Sequence, residues 1–215
     1  GIRMSKPKVL LVTAHPEAQS FNHALKDAAA DFLSKSDVEV RQSNLCQSGF
    51  TAVAGRHDFG SFPKDEPLNM MDAQKAVGQY GGFALEIRQE QYKLEWTDAV
   101  VLQFPIWRGS YPAVLKGWID RVLSYGFAYG RTKSLPEKTV LFSVTTGGAT
   151  DAKEKREYGR RINNMADDVF GYMKWNVLKP YISHGIPSST PEEREKLIKR
   201  YIAHLEKNLL KKLNL

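Results

Sequence analysis

The stretch VLQFPIWRGSYPAVLKGWIDRV, residues 101–122, decides the fold. It starts as an apolar run ending in Phe104-Pro105. Six residues follow that include Trp107, Arg108, Gly109, Ser110 and Tyr111, and the chain then resumes at Pro112 with helical spacing. A helix interior would not contain this break, and a plain turn has no need of Trp107 and Tyr111. The stretch reads as strand, loop, helix. The helix, expected over 111–126, has Pro112 in its first turn. Val114, Leu115, Trp118, Ile119, Val122 and Leu123 form its apolar stripe.

The same unit recurs on both sides. KVLLVTA (8–14) is a continuous apolar run, as a strand buried on both faces requires. Ser20 after it suits a helix cap, with Phe21, Leu25, Ala28 and Phe32 on one side. VEVRQSNL (38–45) alternates as a second strand, and 83–98 reads as a helix before the strand 99–105. KTVLFSVTTGG (138–148) is a fourth strand running into Gly147-Gly148, followed by a polar, mostly helical segment to about 170. WNVLKPYISHGI (175–186) reads as a fifth strand. Thr190, Pro191 and Glu193 then open a final helix with a capping box. Strand and helix alternate five times, which predicts an α/β fold with a parallel sheet and helices on both faces. Five strands suit the flavodoxin-like, doubly wound order 2-1-3-4-5. Residues 46–82, with six glycines and two prolines, are long for a structureless connection and should carry function or an interface. One domain is expected over 4–215, with residues 1–3 ahead of Met4 read as an expression remnant.

Composition narrows the function. The formal charge of +7 fits a lysine-rich surface or an anionic ligand. The aromatics follow strand ends rather than interleaving with a basic stripe, which argues against a nucleic-acid binder. Cys46 is the single cysteine. It permits no internal disulfide, so a reducing, cytoplasmic setting is expected. The five histidines are scattered and none is at metal-ligand spacing.

In doubly wound sheets ligands bind beyond the carboxyl ends of the strands, near the point where strand order reverses. Three loops meet that description. In HPEAQSFN, Ser20, Phe21 and Asn22 lie where a helix N-terminus presents free N–H groups to phosphate, with His15 and Gln19 able to add hydrogen bonds. The alternative is that Ser20 only caps the helix. In PIWRGSY, Trp107 and Tyr111 could flank a flat ring, or simply cover the end of the sheet. In TTGGATD, Gly147 and Gly148 allow close backbone approach, and their N–H groups with Thr145 and Thr146 suit the polar edge of an isoalloxazine. No G-x-G-x-x-G fingerprint or Walker lysine motif accompanies the first loop. A phosphate cradle, an aromatic wall and a donor-rich rim together have the shape of a flavin site.

AHPEAQSFNHAL, LQFPIWRGSYPAVLKGWIDRVLSYGFAYG and VTTGG carry a resemblance to the NAD(P)H:quinone oxidoreductases of the flavodoxin-like fold, over Val9 to about Lys207. The group includes ancillary flavoproteins of potassium-efflux systems. The resemblance implies that His15, Ser20, Phe21 and Asn22 hold the flavin phosphates and that Pro105, Ile106, Trp107 and Arg108 line the ring. It assigns Thr145, Thr146, Gly147 and Gly148 to the ring's polar edge. It places Tyr129 beside the substrate pocket across a homodimer interface, with the 46–82 segment also near the second chain. Arg194 matches an arginine on the adenine side of FAD, which favours FAD over FMN, although TPEER is also an ordinary helix start. The family's Tyr and His after the Gly-Gly pair fall here on Lys153 and Gly159. Lys153, Lys155 or Arg156 is the expected substitute for that pair, with a solvated helix as the alternative. Arg108 could contact an anionic part of the nucleotide or substrate, or pair with a surface carboxylate. The implied activity is ping-pong hydride transfer from NAD(P)H to a small electron acceptor such as a quinone. The rival reading is a regulatory flavoprotein docked on a membrane transporter.

Overall fold

The computed structural model describes residues 5–215, so the three residues ahead of Met4 lie outside the described part. Five sheet positions are filled, in the order β2-β1-β3-β4-β5, and every pairing is parallel. The strands are β1 (Lys8–Thr13), β2 (Glu39–Asn44), β3 (Ala99–Pro105), β4 (Thr139–Thr145), β5 (Asn176–Val177) and β6 (Tyr181–Ser183). The helices are α1 (Phe21–Lys35), α2 (Met70–Lys75), α3 (Leu85–Trp96), α4 (Ala113–Val122), α5 (Ala152–Ala166) and α6 (Pro191–His204). β3 and β4 are buried along their whole length, as their unbroken apolar runs require. Alternate residues feed two cores. Leu10, Val12, Val100, Leu102 and Phe104 pack with Leu115, Trp118 and Ile162, on the side of α4 and α5. Val9, Leu11, Val101 and Leu141 pack with Leu25, Ala29, Leu33 and Tyr201, on the side of α1 and α6.

Four details depart from the sequence reading. The fifth strand is split: Pro180 lies between β5 and β6, and with no N–H it cannot continue a ladder. Both pieces still pair with β4. α1 fully buries Asn22, His23, Leu25, Ala29 and Leu33, while Phe21 and Phe32 pack half-buried against the same core. The fourth strand stops at Thr145, which leaves Thr146, Gly147 and Gly148 in the loop. α4 is shorter than 111–126, and Pro112 is its N-cap rather than a first-turn residue.

The irregular 46–82 segment holds α2 and two short 3-10 turns, Arg56–Asp58 and Val77–Tyr80. A buried arginine fastens its first part. Arg121, 1% exposed on α4, donates to Asp58 at 2.9 Å, to Glu86 at 2.7 Å and to the Thr51 carbonyl at 2.7 Å. Gly117, one helical turn earlier, lies against the backbone of Ala52, and any side chain there would collide with it.

Candidate active site

The first N–H groups of α1, on Phe21 and Asn22, have no acceptor among the described residues. Ser20 caps the helix by accepting from His23 N–H at 3.4 Å. The capping reading of Ser20 holds, and the capped terminus still presents its outer N–H donors. The Asn22 side chain is buried and points into the fold. Its Nδ2 donates to Thr145 Oγ1 at 3.0 Å, and its Oδ1 accepts from Gln103 Nε2 at 3.0 Å. These bonds join α1 to the ends of β3 and β4 beneath the loops. His15 accepts from Glu17 N–H on Nδ1 at 3.1 Å, which leaves the proton of the neutral ring on Nε2. Burial and the neighbouring His23 pull its pKa below the ordinary imidazole value, against a smaller opposing pull from Glu17.

The loop after β3 is a tight hairpin. Trp107 and Ser110 exchange two backbone hydrogen bonds of 3.1 Å, and the two residues between them, Arg108 (φ 51°) and Gly109 (φ 79°), are both left-handed. That is the geometry of a type I′ turn. Trp107 stands 45% exposed, edge-on to His15 with ring centroids 5.7 Å apart. Tyr111 does not face it. Its ring packs 5.2 Å from Phe104 and its hydroxyl donates to the Met165 carbonyl at 3.0 Å, so it covers the end of the sheet. The hydroxyl's pKa is pushed up by burial and by Asp168.

Beyond β4 the loop is stitched to the segment after β6. Thr146 N–H donates to Ser183 O at 2.9 Å, Ile186 N–H to Thr146 O at 3.2 Å and Gly185 N–H to Gly148 O at 3.1 Å. Thr146 Oγ1 donates to Gly148 O at 2.8 Å and lies 3.1 Å from His184 Nδ1. The N–H groups of Gly147, Gly148 and Ala149 have no acceptor among the described residues. A side chain at Gly147 or Gly148 would enter open space.

The three loops enclose a cleft of about 360 Å³ lined by His15, Ser20, Phe21, Asn22, Pro105, Ile106, Trp107, Thr145, Thr146, Gly147, Ile186 and Pro187. Ten of these twelve are residues the sequence singles out, and Ile186 and Pro187 are additions from the end of the fifth strand. Other expected residues lie outside it. Gln19 is exposed and only its backbone is engaged, by Glu17. Arg108 occupies the hairpin tip with no ion pair among the described residues. Gly148 borders the cleft through its neighbour Gly147. Arg194 donates through Nη1 to the carbonyl and hydroxyl of Ser189, at 2.7 and 3.1 Å. Lys153, Lys155 and Arg156 are exposed on the first turns of α5 and do not line the cleft. Tyr129 lines a separate cleft with Met71, Ile119, Leu123, Tyr172 and Met173. His184 and Gln103 escaped the sequence reading. The strand-end rule, applied to the fifth strand as it was to the first, third and fourth, would have pointed to His184.

The sheet order and a cleft across the strand ends define a doubly wound α/β protein, and the Flavodoxin-like fold family is matched over residues 7–209. Within that class the chain belongs to the NAD(P)H:quinone oxidoreductase family and is an oxidoreductase. It is 34% identical to mouse ribosyldihydronicotinamide dehydrogenase [quinone], covering 94% of this chain and 92% of that one. It is 31% identical to rat NAD(P)H dehydrogenase [quinone] 1, covering 94% and 78% respectively. A solved Klebsiella pneumoniae protein, provisionally described as a quinone reductase, superposes with a TM-score of 0.82 at 30% identity, over 93% of this chain and 84% of that one.

Proposed function

We propose that the cleft binds a flavin and that the enzyme transfers electrons from NAD(P)H to a quinone or a similar small acceptor by ping-pong hydride transfer. One observation carries this reading. Backbone N–H groups with no acceptor among the described residues border a single cleft at Phe21, Asn22 and Gly147 and continue at Gly148 and Ala149, and Trp107 lines the same cleft. Donors at a helix start suit phosphate, and donors beside two Cβ-free residues suit the carbonyl edge of a flat ring. The flavin, when bound, supplies the hydride-carrying ring. The chain does the rest: α1 neutralises phosphate charge, Nε2 of His15 donates from the lip, and Trp107 with Ile106 and Pro105 forms an apolar wall that limits water. The rim N–H groups stabilise negative charge on the ring edge nearest them.

FAD is the first choice, because Arg194, at the start of α6, has Nε and Nη2 without an acceptor among the described residues. FMN is the alternative. A second copy of the chain is expected over the cleft of Tyr129, where Met71 and Tyr172 are 50% and 69% exposed. Sedimentation at the dimer mass, lost in Tyr172→Asp, supports that placement, and a monomeric wild type overturns it. The free Cys46 is consistent with work in the cytoplasm. Among the described residues no helix is long and apolar enough to cross a membrane.

The test is an absorbance spectrum. Protein loaded with FAD or FMN and freed of excess is followed through addition of NADPH and then menadione. Retained colour that bleaches with NADPH and returns with menadione is the expected result. Colour that does not bleach overturns the reductase reading, and no retained flavin of either kind overturns the site.

A further inference from the structure

Thr146 Oγ1 has one proton to give. Gly148 O, 2.8 Å away, can only accept, so the proton goes there. The other two contacts of Oγ1, from Gly185 N–H at 3.3 Å and to His184 Nδ1 at 3.1 Å, must then donate to it. His184 therefore carries its ring proton on Nδ1. Its ring stands edge-on to Tyr158 of α5, with centroids 5.9 Å apart. Burial, and the charge of Lys155 less strongly, favour the uncharged ring.

We infer that His184 is a positioning residue for the rim of the cleft, holding Thr146 through Nδ1–H and so fixing the Gly147–Ala149 backbone, whose N–H groups have no acceptor among the described residues. Lys155 and Tyr158 of α5 and Thr146 are the polar groups that face it. The role rests on the flavin reading, because the fixed rim is the part of the site that would meet the ring edge.

Two substitutions separate this role from simple packing. In Asn the amide nitrogen sits as far from Cβ as Nδ1 does, and in Gln it sits near the place of Nε2. His184→Asn should bind FAD and FMN within about 2-fold of wild type by fluorescence titration. His184→Gln and His184→Ala should bind about 10-fold more weakly, the loss of one net hydrogen bond. Ring nitrogen NMR of the unloaded wild type should show the Nδ1–H tautomer. Amide exchange at Gly147–Ala149 should quicken in His184→Gln but not in His184→Asn. An Nε2–H tautomer, or equal weakening by Asn and Gln, overturns the inference. If the wild type binds neither flavin, the flavin reading falls by itself, and the tautomer and the exchange rates of the unloaded chain still decide the role of His184.

Discussion

The cleft has a floor and a lip built on opposite plans. The floor is Asn22, Gln103 and Thr145, each 4% exposed or less, cross-bonded between α1, β3 and β4. The lip is Trp107–Ser110, four residues held by two backbone hydrogen bonds, with a tryptophan in the open and an arginine in a strained backbone region. A ligand resting on the floor meets geometry set by the core of the whole domain. A ligand touching the lip meets geometry set by four residues. Retention of the cofactor should therefore follow global stability, and the choice and turnover of the second substrate should vary without it.

The largest expected effect is on the floor. Asn22→Leu leaves Gln103 Nε2 and Thr145 Oγ1 unpartnered in the core and should cost about 2–4 kcal/mol in denaturant unfolding, with flavin retention lost as well. A loss under 1 kcal/mol would erase the distinction between floor and lip. Next in size is Trp107→Ala. It should leave stability within about 0.5 kcal/mol and lower kcat/KM about 10-fold, the scale of one lost stacking contact. A matching fall in stability would mean that the lip is also structural. A smaller effect is expected from Arg108→Asn, which suits the left-handed first position of a type I′ turn and should stabilise the fold by about 0.5–1 kcal/mol. The smallest is the pH dependence of His15. Its folded pKa lies below the unfolded value near 6.5. The stability it contributes is thus present above that value and is lost as pH falls below it through the folded pKa. His15→Gln should flatten this part of a stability profile between about pH 7.5 and 5, and an unchanged slope would assign it elsewhere.

Much of this was legible in the chain because strands buried on both faces announce themselves. KVLLVTA and AVVLQFP can hardly be anything else, and their ends locate the cleft. The edges were harder to read. Pro180 splits the last strand, yet the apolar pattern runs through it unchanged, since both halves lie on the same sheet position. Tyr111 and Trp107 look equivalent in a sequence. Only packing against Phe104 and Phe142 turns the first inward and leaves the second exposed. Asn22 reads as a ligand contact by position, but the buried amide of Gln103 claims its side chain and leaves its backbone for the ligand. His184 had only its place at the end of the fifth strand to mark it, and nothing to name its partner. Its partner Thr146 is 38 residues earlier, and contacts of that kind carry no periodicity.

The guanidinium of Arg121 has a consequence for how the chain finds its fold. Strands learn their alignment from the ladder beside them, but the long excursion after β2 has an isolated bridge, Phe59 to Phe83, in place of a ladder. A slip of one residue there would take Asp58 away from Arg121 and leave the buried guanidinium with Glu86 as its one carboxylate, breaking an ion pair that is 1% exposed on both sides. Gly117 enforces the same alignment by contact, since Ala52 fits against α4 only where the helix has no side chain. Two residues on one helix therefore act as an address for the segment, and the Phe59–Phe83 bridge and the Gln74 side chain, which donates to Asp120 O and accepts from Tyr125 N–H, hold it further along.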